Sequence, residues 1–482
     1  MQTGVRRLSL GTMAAYGFGQ TAEGIKNAAF NTFVLFYYQQ VVGVSGTLTG
    51  LALGIALCFD AITDPLAGAV SDKTRSRWGR RHPFLILAAI PLSLAFYFLF
   101  NPPDGLSEIG SFLWLTAFAV LVRGSLTFYH IPHLALGAEM AKDYNQRSTL
   151  FAFSTLFSLV GGAMAGFLAY RLFFPTTEEF NPGLLNPDGY INFSITFGLA
   201  MTLAIVACAF GTRKEIPHLT QPVQIAPFGL KRLFQEVMEA FGNKSFRAIF
   251  FGMLLGTLII SIESVLSPYM GLHFWGFTTE QLAILPLVAM VGMLCSLPLT
   301  PFVTRRLDKK LSLIIPAALA IINGNVLIVL RLLDVSWFPD NESPWMLPLV
   351  MMTTFITATI APIIFTSINS MFADIADEHE LETGERREGV IYAARAFCLK
   401  ATGAVGVVFG GLMLDLIAFP RGAPAGTVAP DTVWNLGFVQ GPATSFFSFC
   451  GLLLYMGYRL NRERHAEIVA ELERRRREAG VV

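Results

Sequence analysis

Charge is scarce in this chain of 482 residues: Asp, Glu, Lys and Arg together make 14% of it, against about a quarter in soluble globular domains. That scarcity excludes an ordinary water-soluble fold. Cysteine is scarcer still. Cys58, Cys208, Cys295, Cys398 and Cys450 all fall inside apolar stretches, which suits small buried side chains and excludes a disulfide framework, a zinc site and redox chemistry. The strict apolar-polar alternation of a membrane barrel is missing, as are the His-Glu-x-x-His and Gly-x-Ser-x-Gly signatures of metalloproteases and serine hydrolases. Arg6 and Arg7 are followed by a spanning stretch with no small-residue cleavage site, so no signal peptide is expected.

What is abundant is apolar surface, with 53% hydrophobic residues and a mean hydropathy of +0.55. Stretches long enough to span a bilayer lie at about 11–41, 48–71, 83–101, 111–138, 148–172 and 191–211, and again at about 246–272, 279–303, 311–333, 345–371, 389–418 and 432–459. Lipid-exposed backbone must satisfy itself, so the expected fold class is an all-α polytopic membrane protein of twelve transmembrane helices. Placing both termini in the cytoplasm puts 28 of the 35 Lys and Arg in inner segments, leaving Arg171, Arg331 and Arg421 at outer edges. The positive-inside rule thus orients the chain, with a plasma (inner) membrane location expected. The tail, with Arg474 to Arg477 among glutamates, reads as a solvated amphipathic helix.

The polar, Pro-containing stretch 212–245 separates two six-helix bundles, 1–211 and 246–459, and a cytoplasmic tail covers 460–482. The halves echo each other. A basic loop holding Asp72, Arg75, Arg77, Arg80 and Arg81 follows the second segment, and Arg305 to Lys310 follow the eighth. An acidic-then-basic loop from Glu139 to Arg147 follows the fourth segment, and a longer one with Asp374, Asp377, Arg386 and Arg387 follows the tenth. Such clusters are candidate gating ion pairs, because making and breaking salt bridges gives rigid bundles two states. Two six-helix halves in parallel repeat resemble the major facilitator superfamily.

Eight charged residues remain at membrane depth: Glu23, Asp60, Asp64 and Glu263 with Lys26, Arg123, Arg395 and Lys400. Each is a site candidate, since intramembrane charges face the bundle interior or a wet cavity. Asp60 and Asp64 stand one helical turn apart on one face, where a cation or a shared proton would offset their cost. Tyr16, Gln20, Glu23, Asn27 and Asn31 form one wet stripe on the first helix, and Arg123, Thr127 and His130 another on the fourth. His133 lies off that second face and is left without a role.

The segment Phe59-Asp-Ala-Ile-Thr-Asp-Pro65, followed by Ser71-Asp-Lys-Thr-Arg-Ser-Arg-Trp-Gly-Arg-Arg-His-Pro-Phe84, closely resembles the signature of the glycoside-pentoside-hexuronide:cation symporters, the melibiose permease family. Tyr16-Gly-Phe-Gly19, Tyr37-Tyr38, Val41-Val-Gly43, His130-Ile-Pro132, Ala373-Asp-Ile-Ala-Asp377 and Lys400 extend the similarity over nearly the whole chain. The resemblance implies cation binding by Asp60, Asp64 and Thr127, with Thr63 where an Asn ligand is common, and places Lys400 near cation and sugar. The sugar positions depart from the pattern. Gly24 stands where the family has a galactoside-binding aspartate, with Glu23 beside it, and His130, Leu134 and Thr155 replace a second aspartate, a tryptophan and an arginine.

The expected function is secondary active transport: symport of a sugar, glycoside or related small organic solute, coupled to Na⁺ or H⁺, with Na⁺ favoured because a hard cation prefers oxygen ligands. The metal ligands expected are Asp60 and Asp64, and the solute site is expected from Glu23, Lys26, Asn27, Arg123, His130, Glu263, Arg395 and Lys400. An alternative solute is a lysolipid or other amphiphile, because a lysolipid-carrying branch of the family resembles this chain in having His at the position of His130. A remoter alternative is a metal-dependent prenyltransferase, which would require a second membrane-level aspartate cluster that the sequence lacks. No cofactor beyond the coupling ion, no nucleic-acid partner and a functional monomer are expected.

Overall fold

The computed structural model describes residues 7–219, 238, 241–384 and 388–478. Among the described residues every regular element is helical, and eleven helices are long and apolar enough to cross a membrane. The remaining stretch, at the N-terminus, is broken into α1 (Leu10–Phe18) and α2 (Thr21–Ala28), followed by wide π-type turns at Ala29–Val34 and Tyr37–Val42. Then come α3 (Gly46–Lys73), α4 (His82–Leu99), α5 (Glu108–Met140), α6 (Tyr144–Leu168) and α7 (Pro187–Thr212). Beyond the linker stretch run α8 (Lys244–Tyr269), α9 (Thr279–Leu282), α10 (Ile284–Arg306), α11 (Lys309–Leu332), α12 (Met346–Thr383) and α13 (Glu388–Leu416). The last are α14 (Pro430–Phe438), α15 (Thr444–Tyr455) and α16 (Arg462–Glu478).

Short polar side chains begin these helices by accepting otherwise orphaned N–H groups. Ser45 accepts from Leu48 at 3.3 Å, Ser107 from Gly110 at 3.1 Å and Asp143 from Gln146 at 3.0 Å, starting α3, α5 and α6. Large apolar side chains such as Leu87, Ile90 and Leu94 on α4, and Leu199 and Leu203 on α7, point outward. That pattern suits hydrocarbon and not water.

By contact the chain divides into two units. The first holds Met1–Ile225, Ser264–Leu287 and Val407–Val433; the second holds Ala226–Glu263, Val288–Gly406 and Trp434–Val482.

In the first unit, Phe33, Phe96, Phe100, Phe174, Tyr190 and Phe193 pack into an aromatic core. Glycines let its backbones approach closely. A Cβ on Gly24 would stand 2.8 Å from the Gly162 nitrogen and 3.0 Å from the Ser158 carbonyl carbon, and closer still to that carbonyl's oxygen, so α2 and α6 cross at van der Waals contact. At the end of α3 nearest Gly46, the Asp415 carboxylate of α13 accepts the N–H groups of Gly46 at 2.9 Å and Thr47 at 2.7 Å. Arg421 pairs there with Glu108 at 3.1 Å. A carboxylate on two free N–H groups at a helix N-terminus is a charge-assisted cap.

In the second unit, Phe246, Met253, Met371, Phe372, Ile391 and Tyr455 belong to one buried cluster. Ile468 and Leu472 of α16 are buried in it as well. The tail helix is therefore docked and not solvated along that face, because an apolar pair at i and i+4 lies on one side of the helix. Charge supports the docking: Arg476 pairs with Glu380 at 2.7 Å, and Arg475 donates to the Leu381 carbonyl at 3.0 Å. Beside the docked face, the Arg474 guanidinium bonded to Glu471 holds that carboxyl below the usual carboxylate range.

Candidate functional site

The aspartates that anchor the sequence reading face α5 across the first unit. Arg123 donates from Nε to Asp60 Oδ2 at 3.0 Å and from Nη2 to the same oxygen. Asp60 Oδ1 is buried and has no hydrogen-bond partner among the described residues. One turn along α3, Asp64 Oδ1 accepts the Thr127 hydroxyl at 3.0 Å. The Thr63 hydroxyl donates to the Phe59 carbonyl at 3.2 Å. Both threonines have thus spent their single proton and offer only lone pairs to anything else. That donor set suits a cation, because Asp60 Oδ1, Asp64 and two proton-committed hydroxyls present oxygen lone pairs, while Arg123 occupies only Asp60 Oδ2. Among the described residues no group of three or more His, Cys, Asp or Glu side chains is placed to hold a metal, so hydroxyls are needed to complete any shell.

A second polar group lies on α2. Lys26 donates to Glu23 at 3.0 Å and to Asn27 at 2.7 Å, while the Asn27 amide donates to Glu23 at 3.1 Å. Lys26 also interacts electrostatically with Arg123 and Asp60, and Glu23 with His130. The two groups therefore form one charge network inside the first unit. Arg123, expected at the solute, is the partner of Asp60 here, and its guanidinium also lies 5.7 Å over the Phe30 ring.

The sequence reading put Tyr16 and Gln20 on a wet stripe and left His133 without a role; the structure joins all three to this network. At the break between α1 and α2, the Gln20 side-chain nitrogen lies 2.9 Å from His133 Nδ1 and 3.4 Å from His130 Nδ1. His133 is fully buried, its ring stacked on Tyr16 at a centroid distance of 4.0 Å. The Tyr16 hydroxyl donates to the His133 carbonyl at 3.1 Å. His133 sits off the Arg123-Thr127-His130 face yet reaches the same glutamine, because the broken first helix turns Gln20 toward both imidazoles. The signal available was the Gly17-Phe-Gly19 flank, which permits close approach: a Cβ on Gly17 would stand 2.9 Å from Phe153 and Phe157 atoms.

Gly24 explains how the solute positions can differ from the family pattern. The helix crossing onto Ser158 and Gly162 leaves no room for any side chain there. Carboxylate chemistry on α2 comes from Glu23 instead.

Glu263, Arg395 and Lys400 belong to the second unit. Glu263 lies against Thr444 and its carbonyl accepts from Gln440 at 3.4 Å. Arg395 Nε is buried without a hydrogen-bond partner among the described residues. Lys400 is partly buried on α13.

Of the gating candidates, Arg81 binds Asp72, Glu139 and the Ser71 hydroxyl, and Arg80 reaches Glu139 at 2.8 Å, all within the first unit. Arg75, Arg77 and Arg147 are exposed. In the second unit Asp374 accepts from Lys309 and from the Tyr458 hydroxyl. His465 of the tail helix lies 3.3 Å from Asp374 and 3.1 Å from Asp377. Arg386 and Arg387 lie outside the described residues, as does most of the expected linker.

The model of the MFS/sugar transport protein family matches residues 15–462. The chain belongs to that family. Among curated relatives, a glucuronide carrier protein homolog of Escherichia coli (strain K12) is 26% identical over 98% of this chain and 97% of its own length. A putative glycoside/cation symporter of the same organism is 24% identical over 98% and 97%, and the lactose permease of Leuconostoc lactis 22% identical over 97% and 72%. Among solved structures, a nucleoside transporter, NupG, superposes with a TM-score of 0.62 at 14% identity, covering 93% of this chain and 99% of its own. The xylose transporter of E. coli superposes with 0.57 at 13%, covering 95% and 98%. The fold is that of the major facilitator superfamily, and the protein is a multi-pass secondary transporter of the symporter kind, similar to the glycoside-pentoside-hexuronide:cation symporters. It is not an enzyme.

Proposed function

We propose that the protein couples the inward movement of Na⁺ to uptake of a glycoside, pentoside, hexuronide or related hydroxyl-rich solute across the plasma (inner) membrane, as a monomer with both termini in the cytoplasm. The observation that supports the Na⁺ assignment is the buried Asp60 Oδ1, which lacks a hydrogen-bond partner among the described residues, together with the Thr63 and Thr127 hydroxyls, whose protons are already committed elsewhere. Na⁺ at this place would be held by Asp60, Thr63, Asp64 and Thr127 and carried as cargo. Glu23, Asn27 and His130 would bind solute in the first unit, with Lys26 neutralising Glu23. Glu263, Arg395 and Lys400 are proposed as further solute contacts.

The test is uptake into proteoliposomes of a panel of glycosides, hexuronides and a lysolipid, under separately imposed Na⁺ and pH gradients. Na⁺-driven accumulation that is lost in Asp64→Asn and shifted to higher Na⁺ in Thr127→Ala supports the reading. Accumulation driven by the pH gradient alone overturns the Na⁺ assignment, and saturable uptake of lysolipid but no sugar overturns the solute class.

A further inference from the structure

Two segments from the second half of the sequence, Ser264–Leu287 and Val407–Val433, pack into the first unit with residues 1–225. The second of them meets α3 at its Gly46 end, and the approach is backbone to backbone. A Cβ on Gly411 of α13 would stand 2.7 Å from the Gly46 carbonyl carbon and 3.3 Å from the Gly50 Cα, so no side chain separates the two helices there. Polar groups close the same crossing. One turn beyond Gly411, Asp415 divides its carboxylate between two donors, Oδ1 accepting the Gly46 N–H at 2.9 Å and Oδ2 the Thr47 N–H at 2.7 Å. Gln40 holds the loop that follows α13, donating to the Pro420 carbonyl at 2.8 Å and accepting the Ala423 N–H at 2.9 Å. Arg421 of that loop donates to the Gly43 carbonyl at 2.5 Å and pairs with Glu108.

In transporters built from repeated bundles, a central site reaches each side of the membrane in turn as one bundle rocks against the other. Groups that bond across one end alone therefore hold in one state and let go in the other. We propose that Asp415 is a conformational latch: its carboxylate holds the Gly46 end of α3 against α13, shuts that end of the transport path, and has to release before the end can open. The chemistry suits a reversible hold. The first N–H groups of a helix have no partner within it, so the closed form gains a charge-assisted cap, and because Asp415 is exposed, parting the helices hands both donors and the carboxylate to water without stranding a buried charge. Arg421 and Gln40 brace the loop beside it. The latch acts on the helix that carries Asp60 and Asp64, and from the helix that carries Arg395 and Lys400. Which side of the membrane it closes rests on the orientation proposed above, in which cytoplasmic termini make the Gly46 end the outer one.

The test uses the full chain in right-side-out and inverted membrane vesicles, with its five cysteines replaced by alanine and a membrane-impermeant maleimide as the probe. Two reporters are introduced separately. Ala423→Cys lies in the loop that Gln40 holds, where Ala423 is 3% exposed. Val408→Cys lies deeper, at the crossing itself, where the Val408 Cα is 3.0 Å from the place of a Gly50 Cβ. Both should label slowly in the parent. Asp415→Asn removes the charge and should speed labelling of both from the outside about fivefold, the population change that about 1 kcal/mol produces; Asp415→Ala, which removes both acceptors, should speed it further. Asp431→Asn, an exposed carboxylate on α14, is the control and should change neither rate. Rates unmoved in both Asp415 variants, or raised as much by Asp431→Asn, overturn the proposal. Faster labelling of Ala423→Cys alone also overturns it, because that reports a frayed loop and not a parted crossing. Both reporters responding as expected, but only in inverted vesicles, overturns the proposed orientation and leaves the latch standing.

Discussion

Replacing Gly24 by Ala tests the helix crossing on which the solute side of the first unit depends. Ordinary Cβ contacts begin near 3.4 Å, whereas the added carbon would stand 2.8 Å from the Gly162 nitrogen and 3.0 Å from the Ser158 carbonyl carbon. All of these are backbone atoms of α6, so no rotamer change relieves them. The helices have to part by more than about half an ångström along the crossing, the kind of overpacking that costs about 1–3 kcal/mol. At about 2 kcal/mol the folded form loses roughly thirtyfold in its equilibrium, and the thermal midpoint of a unit of this size falls by about 4–8 °C. Gly124→Ala on α5 is the matched control, because nothing lies within 4 Å of a Cβ there; helix propensity alone should make it neutral or stabilising by up to about 1 kcal/mol. Both variants are read by thermal unfolding in detergent with solute uptake in parallel. Equal midpoints for the two would refute the close-crossing argument. Gly24→Asp, which restores the residue the family pattern carries, should fail in the same way and gain no galactoside transport.

Other outcomes follow from the same geometry. Arg123→Gln leaves the buried Asp60 carboxylate without its cation and should cost about 3–5 kcal/mol, while the double variant with Asp60→Asn should recover folded yield without recovering uptake; yield and uptake are measured together. Asp415→Asn exchanges a carboxylate for an amide at the N–H groups of Gly46 and Thr47 and should lower the thermal midpoint by a few degrees, at about 1 kcal/mol for a charged helix cap. Leu472→Asp puts a charge into the cluster that seats α16 and should speed tryptic cleavage among Arg474 to Arg477, while an exposed-face change such as Glu467→Ala should not.

The sequence was most legible where periodicity and composition act locally. The apolar runs placed the spanning helices, and the i, i+4 spacing put Asp60 and Asp64 on one helix face, which the structure sets against Arg123 and Thr127. The first helix was read as one unbroken stripe, since apolar length cannot report that Gln20 bonds Gly17 and frees a carbonyl. His133 was left aside for the same reason: its partners lie more than a hundred residues away, at a break that a helical wheel assumes absent. The tail was read from its arginines, although Ile468 and Leu472 carry the docking. Asp415 gave no signal at all, because a carboxylate at the end of one helix means nothing until the start of another is brought to it.

The broken first segment also bears on how the protein is made. Glu23 and Lys26 would each cost about 2.5–3.5 kcal/mol at the centre of an isolated helix entering a bilayer, and their mutual hydrogen bond offsets only part of that. The backbone on which α2 rests belongs to α6, whose end is synthesised about 140 residues after Ala28. At 5–20 residues per second the ribosome needs roughly 7–28 s to deliver it. For that interval the first segment emerges with its charged face uncovered and its glycine seat unbuilt. It has to be sheltered at the insertion machinery until α5 and α6 arrive, which makes the earliest part of the chain among the last to settle.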